Sequence, residues 1–159
     1  MSVTNLPAIR LRPIVPADVP TLFEFECDPE GNRLAGTKPR DRETFMARWK
    51  EVFGDPTVIP RAISCGESMV GCICLFKRDG VDLIGYWIDR EHWGKGCATR
   101  AIGLFLQEVP TRPLRARVAA HNTASIRALQ RNGFVITERC QTAATERFEA
   151  CDWLTLTQR

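Results

Sequence analysis

The chain has 159 residues, an apolar content of 44%, a charged content of 26% and a formal net charge of +3, which is typical of a soluble globular protein. Its basic residues are scattered and no run of about 18 apolar residues occurs, so we expect neither a nucleic-acid partner nor a membrane span. Residues 1–7 lack the basic and apolar regions of a signal peptide, so we expect a cytoplasmic protein with one domain over residues 1–159.

The cysteines predict free thiols rather than disulfides or a metal site. Their number is odd, no Cys-x-x-Cys spacing occurs, and only two histidines are available as further ligands. Cys72 and Cys74 should share one face of a strand. We therefore expect no bound metal.

The first part of the chain predicts two helices after an opening strand. The strand covers Ala8–Ile14 and the first helix covers Pro16–Cys27, followed by a loop through Arg40. A second helix covers Asp41–Phe53, where apolar residues recur on one face. The basic stretch Lys38–Arg42 forms either a solvated surface or a contact with phosphates or an acidic acceptor.

Three strands then form a predicted meander. They cover Val58–Cys65, Met69–Phe76 and Val81–Ile88. Asp79-Gly80 separates the last two, and this dipeptide between strand-like segments is a strong hairpin signal.

A glycine-rich segment follows this hairpin and begins an amphipathic helix that continues to Val109. Gly94 and Gly96 allow an anion to approach the backbone, where unpaired N–H groups and the helix dipole favour negative charge. Gly96 is followed by Cys97-Ala98-Thr99 rather than by the residues of a Walker loop, and Thr99 replaces the third glycine of a dinucleotide fingerprint. Neither ATP nor NAD fits well.

The last elements are a strand, a helix and a hairpin. The strand covers Leu114–Ala119, and the helix Asn122–Asn132 is capped by Asn122 and ended by Gly133. Strands Val135–Cys140 and Phe148–Thr157 form the hairpin. Together these elements predict an α+β fold, with a mixed, mostly antiparallel sheet of about seven strands and helices on both faces.

An ordered set of motifs resembles the GNAT acetyltransferases, in the branch similar to ribosomal-protein-alanine N-acetyltransferases. It comprises Gly85-Tyr-Trp-Ile88, Trp93-Gly-Lys-Gly-Cys-Ala-Thr99, Asn122-x-x-Ser125 and Asn132-Gly-Phe134. Trp93 departs from the Gln or Arg of the wider superfamily, but the branch usually carries this change. The resemblance implies a V-shaped opening between the strands that end near residue 88 and begin near residue 114. It also implies acetyl-CoA as co-substrate, with its pyrophosphate on the glycine loop and its pantetheine arm along the preceding strand.

The resemblance assigns roles to particular residues. Ser125 is the candidate catalytic group near the sulfur, and backbone N–H groups around Trp87 and Ile88 polarise the thioester carbonyl. The candidate cofactor-binding residues are Trp87, Ile88, Trp93, Gly94, Lys95, Gly96, Cys97, Ala98, Thr99 and Asn122. A general base is not identified, and a water chain could replace one. The carboxylates considered are Asp28, Glu30, Asp89 and Glu91, and the histidine considered is His121.

The expected reaction is direct acetyl transfer to a primary amine, on a small molecule or a protein N-terminus. Cys97 begins a helix, which would lower its pKa, but the thioester should lie a full pantetheine arm away. Acceptor specificity is expected in Asp28–Arg40 and Gln141–Arg147. A catalytically silent acetyl-CoA-binding module and a regulatory nucleotide-binding domain are the alternatives, and whether the chain forms a homodimer stays open.

Overall fold

The computed structural model of the chain describes residues 8–159, so the expectation about a signal peptide in residues 1–7 lies outside the described residues. The strands are β1 Ile9–Pro13, β2 Ile59–Cys65, β3 Ser68–Arg78, β4 Val81–Ile88, β5 Leu114–Ala119, β6 Val135–Thr142 and β7 Cys151–Gln158. The helices are α1 Val19–Glu26, α2 Pro29–Ala35, α3 Arg42–Gly54, α4 Cys97–Glu108 and α5 Thr123–Gln130, with short 3-10 turns at Pro16–Asp18 and Arg90–His92.

The seven strands form one sheet in the order β1-β2-β3-β4-β5-β7-β6. All neighbours are antiparallel except β4 and β5, which are parallel. The predicted α+β architecture and the parallel pair are therefore confirmed. The β3–β4 hairpin closes at Asp79 and Gly80, with φ of +52° and +75°, as a two-residue turn of the kind predicted requires.

The parallel pair forms the feature that positions the site. Among the described residues, β4 and β5 share a single register pair, Leu83 with Arg115. Beyond this pair the strands separate, so that the carboxyl end of β4 has no hydrogen-bonded neighbour on the β5 side. The sheet therefore contains a split, open towards Ile88 on one side and Ala119 on the other.

Two apolar clusters cover the two faces of the sheet. On one face, α4 buries Ala101, Ile102 and Phe105 against the strands, and α5 packs beside it. On the other face, α1 and α3 bury Leu22 and Trp49 over β2 and β3. Phe105 is fully buried, and removing such a ring costs about 3–5 kcal/mol of stability. Helices thus cover both faces of the sheet.

The predicted loop Asp28–Arg40 contains a helix that the sequence analysis missed. The Asp28 carboxylate caps α2 by accepting from the N–H groups of Glu30 and Gly31, at 3.3 and 3.2 Å. Gly36 ends the helix with φ of +68°. Gly31 and Asn32 lie inside α2, and both lower helix propensity. These two residues hid the helix, although Asp28 at its start and Gly36 at its end are ordinary capping residues.

Smaller differences concern the ends of elements. The predicted helix Pro16–Cys27 begins as the 3-10 turn before α1 becomes regular. The last strand begins at Cys151 rather than Phe148, because Phe148 instead forms an isolated bridge with Thr37. The segment after α2 therefore pairs with the segment before β7.

Candidate functional site

The start of α4 has the geometry of an anion site. Gly94 and Gly96 have φ of +75° and +78°, and a Cβ added to either would meet nothing within 4 Å. No side chain of the described residues caps the helix, whose first backbone bond runs from Arg100 N to Gly96 O at 3.1 Å. The N–H groups of Cys97, Ala98 and Thr99 come before this first bond, so they have no partner within the helix and remain available to a ligand.

Cys97 contributes only its backbone to this loop. Its side chain is 2% exposed and packs in the apolar cluster under α4. Burial raises the pKa of the Cys97 thiol, with Cys65 adding to the effect. The expectation that the helix start lowers this pKa was therefore wrong, because desolvation of the thiolate outweighs the helix terminus.

Trp93 fixes the loop to the end of β4. Its indole N–H donates to the carbonyl oxygen of Ile88 at 2.9 Å. Lys95 is exposed on the loop, where its ammonium group can meet a phosphate. The Trp93 side chain thus has a structural role, which leaves the backbone N–H groups and Lys95 as the groups that can bind an anion.

Backbone direction at the end of β4 separates the two predicted donors. Asp89 N donates to Val70 O of β3 at 2.8 Å, and Trp87, two residues earlier on β4, is the register partner of Cys72, also on β3. Because N–H direction alternates along a strand, the N–H of Ile88 faces the split. Ile88, rather than Trp87, can therefore donate to a thioester carbonyl there.

The Trp87 side chain instead attaches β4 to the helices on the opposite face. Its indole N–H donates to the carbonyl oxygen of Phe25, at the end of α1, at 3.1 Å. A Cβ on Gly31 of α2 would lie 2.7 Å from the Trp87 ring, so glycine permits this close approach. Trp87 therefore links the split to α1 and α2.

Ser125 lies beside the carboxyl-terminal half of β4 and has a partner that the sequence analysis missed, while its role near the sulfur remains a prediction. Its hydroxyl hydrogen-bonds the phenol of Tyr86 on β4, whose oxygen also lies 3.4 Å from the Ser125 carbonyl oxygen. Burial raises the pKa of Tyr86 to about 12, which keeps the phenol a proton donor at neutral pH. The signal in the sequence was alternation along β4, which puts Tyr86 on the α5 side with Ile84 and Ile88.

Asn122 has the predicted capping role. Its Oδ1 accepts from the N–H of Ser125 at 3.3 Å, which fixes the first turn of α5. The side-chain amide nitrogen stays directed away from this bond, so a cofactor contact for Asn122 remains a prediction.

The carboxylates and the histidine considered as bases have other partners. Asp28 caps α2 and pairs with Arg90, and Glu30 pairs with Arg33 at 2.5 Å. His121 Nε2 lies 2.7 Å from the Arg33 carbonyl oxygen, and its ring therefore ties the β5–α5 turn to α2. Asp89 lies 3.5 Å from His92, and Glu91 is exposed.

Glu26 is the carboxylate that the sequence analysis overlooked. It lies at the end of α1, largely buried, and burial raises its pKa although arginines oppose the shift. Leu22, four residues earlier, is fully buried, so Glu26 lies on the buried face of the helix. The sequence signal was a glutamate at helical spacing from the apolar residues of this helix, which predicts a charged side chain on the buried face.

The two predicted specificity segments come together. Lys38 N donates to Arg147 O at 2.6 Å, and Glu149 N donates to Gly36 O at 2.9 Å. A cavity of about 610 Å³ lies beside this pairing, between α2, the β5–α5 turn and residues 149–151. Over residues 8–159, no cluster of metal-ligating side chains and no helix able to cross a membrane was found.

Comparisons with known proteins agree with this geometry. Three solved structures are similar to the chain: RimJ from Mycobacterium smegmatis in complex with a CoA disulfide, a spermidine N-acetyltransferase from Vibrio cholerae in complex with CoA and spermine, and the ribosomal-protein acetyltransferase RimL in complex with coenzyme A. In that order, identities are 20%, 15% and 15%, and TM-scores are 0.73, 0.78 and 0.75. Coverage is 94%, 94% and 99% of this chain, and 80%, 95% and 98% of the other chains.

At these identities the solved structures establish the fold alone. Among curated proteins, none matches the sequence significantly. The family model of the acetyltransferase (GNAT) domain matches residues 8–135, which includes the α4 loop, the β4–β5 split and α5. The chain therefore belongs to the GNAT acetyltransferase family.

Proposed function

We propose that the protein transfers an acetyl group from acetyl-CoA to a primary amine by direct attack. The observation that carries this proposal is the uncapped start of α4, which lies where β4 ends beside the split. A diphosphate on the helix start would leave an extended arm to run into the split, along backbone groups that lack a strand partner. CoA-bound relatives with the same fold support this choice of co-substrate.

The proposed step breaks one bond and forms another. The neutral amine nitrogen attacks the thioester carbonyl carbon and gives up one proton to water, the C–S bond breaks, and CoA leaves as a thiolate that takes up one proton. The N–H of Ile88 stabilises the oxyanion, since it faces the split. Ser125 donates to the departing sulfur while Tyr86 donates to Ser125, which orients the serine hydroxyl.

Burial of Cys97 supports direct transfer. An acetyl-cysteine intermediate needs an accessible thiolate with a base beside it, whereas this thiol is buried with a raised pKa. The acceptor amine therefore attacks acetyl-CoA itself in a ternary complex.

One experiment tests the proposal against both alternatives. Thiol release from acetyl-CoA is measured with peptide N-termini, polyamines, amino acids and aminoglycosides as acceptors. Amine-dependent release supports the enzyme, and acetyl-CoA binding without release with any acceptor would indicate a silent binding module. Competition of ATP or NAD with acetyl-CoA at similar affinity would indicate a regulatory nucleotide-binding domain. The single domain, the cytoplasmic location and the lack of a metal remain predictions from the sequence.

A further inference from the structure

An unusual concentration of positive charge lies on the face of the sheet opposite α4. We call Arg40, Arg48, Arg78 and Arg147 the arginine cluster. These residues come from the segment after α2, from α3, from the end of β3 and from the segment before β7. Each of the other three acts electrostatically on Arg40, and Arg48 and Arg78 act on Arg147. The fold therefore collects like charges from four separate parts of the chain.

In the part of the chain that the structure describes, only Arg147 of the arginine cluster forms an ion pair with a carboxylate, although Glu51 and Asp55 line the same small cavity as Arg48 and Arg78. Glu26 lies 3.8 Å from the Arg147 guanidinium, and Asp79 acts on Arg78 from the hairpin turn. Among residues 8–159, no carboxylate lies within 4.0 Å of Arg40, Arg48 or Arg78. Burial and the neighbouring guanidinium groups lower the pKa of Arg40 to about 10, because both disfavour its positive charge.

Specific contacts hold two of these side chains, those of Arg147 and Arg78, in place. The Arg147 guanidinium donates to the Lys38 carbonyl oxygen at 2.5 Å. The Arg78 guanidinium lies over two rings, 5.4 Å from the centroid of Phe76 and 5.8 Å from that of Phe148. Groups held in this way lose little further entropy when they bind a ligand. Arg147 and Arg78 are thus partly preorganised, while the exposed positions of Arg48 and Arg78 leave the arginine cluster open to an incoming anion.

The arginine cluster adjoins the reaction site. Glu26 interacts electrostatically with Cys72, and Cys72 is the register partner of Trp87 at the end of β4. The Trp87 indole bonds the carbonyl oxygen of Phe25, the residue before Glu26. Because α4 and α5 cover the cofactor side of the sheet, an acceptor has to reach the split from this opposite face.

From this placement, and resting on the proposed function, we propose that the acceptor is an amine that also carries an acidic group, a carboxylate or a phosphate. The arginine cluster binds the acidic group while the amine faces the thioester. Guanidinium groups suit both anions, since they donate paired hydrogen bonds to either. A polycationic amine is excluded by repulsion from the same side chains.

Binding to the CoA-saturated protein tests this inference without requiring turnover. Calorimetry compares phosphoethanolamine with ethanolamine, β-alanine with β-alaninamide, and each of these with spermidine. We expect the amine with an acidic group to bind at least tenfold more tightly than its counterpart without one, and we expect spermidine to bind more weakly than either. The relative affinities of the two acids show whether phosphate or carboxylate is preferred.

Variants localise the effect. Arg40→Gln and Arg147→Gln should each weaken binding of the acidic ligand about tenfold while leaving CoA affinity unchanged. Arg48→Gln should also weaken binding of the acidic ligand, and its exposed position on α3 means that the substitution carries little risk to folding. Arg10→Gln, on the exposed side of the edge strand β1, is the matched control and should change nothing.

The outcomes separate the two proposals. Equal binding of acidic and neutral ligands, preference for spermidine, no binding by any ligand, or full binding by the arginine variants would each overturn the acidic acceptor. Acidic preference without thiol release from acetyl-CoA would instead refute the enzyme and leave the anion site standing. Thiol release with only neutral or cationic amines would support the enzyme and overturn the acidic acceptor.

Discussion

The phenol of Tyr86 and the hydroxyl of Ser125 form a hydrogen bond that joins β4 to α5 across the mouth of the split. Tyr86 lies beyond Leu83, the last residue of β4 that pairs with β5. The bond therefore fixes the serine hydroxyl where the strands have separated, and this placement distinguishes Ser125 from an ordinary first-turn serine.

Ser125→Ala should lower kcat by about tenfold or more, because a hydrogen bond to a developing charge contributes about 1.5–3 kcal/mol. Acetyl-CoA affinity should stay nearly intact, since the interaction strengthens only in the transition state. Steady-state kinetics and calorimetry check the two quantities. Thr123→Ala, which removes an exposed hydroxyl from the same turn, should behave as wild type. If Ser125→Ala retains half of the wild-type kcat, the residue only shapes the helix.

Tyr86→Phe should lower kcat less than Ser125→Ala does, because the serine hydroxyl remains but loses its orienting donor. The double variant should have the kcat of Ser125→Ala alone, because Tyr86 acts only through the serine hydroxyl. Thermal unfolding should show a loss of about 1 kcal/mol for the buried hydrogen bond. Additive effects of the two substitutions on kcat would show that Tyr86 acts independently of Ser125.

Gly96→Glu should abolish stabilisation by acetyl-CoA. At about 100 times its dissociation constant, a ligand stabilises the folded state by about 2.7 kcal/mol, which is on the order of 5–10 °C in Tm for a chain of this size. The added carboxylate would occupy the phosphate space and repel it. Gly66→Glu is the control, because Gly66 also has positive φ and open space but lies in the β2–β3 turn. A wild-type Tm shift in Gly96→Glu would refute the loop assignment.

Cys97 should take no part in acetyl transfer. Incubation of the protein with acetyl-CoA alone should leave its intact mass unchanged, and Cys97→Ser should keep most of the wild-type activity. Alkylating reagents should modify exposed Cys27 and Cys140 well before Cys97, whose thiol is buried. An acetyl adduct that is absent in Cys97→Ser and is discharged by an amine would contradict direct transfer.

Glu26 should make stability depend on pH in a defined direction. Burial raises the pKa of this carboxyl, so the folded state binds its proton more tightly than the unfolded state does. The stabilising contribution is present below the ordinary glutamate pKa of about 4.3 and is lost as pH rises through the raised value. The Tm of Glu26→Gln relative to wild type should therefore increase from pH 4 to pH 8. Glu24→Gln, exposed on the same helix, should show no such trend.

Local chemistry explains what could be predicted from the sequence. The Asp79-Gly80 turn, the Asn122 cap and the glycines before α4 each depend on a few adjacent residues. The arginine cluster does not, because Arg40 and Arg147 meet only after the segment beyond α2 pairs with the segment before β7. Tyr86 and Ser125 are similarly brought together by packing of α5 against β4. Helix α2 could be predicted only in part, because its capping residues are visible in the sequence but its interior residues disfavour a helix.

The single register pair between β4 and β5 has a consequence for the protein without its co-substrate. Past Leu83 and Arg115, the free protein carries two strand edges inside its own sheet rather than at its rim. Unpaired strand edges act as templates for association with other chains. Under the proposed function, an extended ligand with amide groups would fill this gap as an added strand does, and bound acetyl-CoA would complete the sheet. We therefore expect the protein to resist aggregation better with acetyl-CoA than without it.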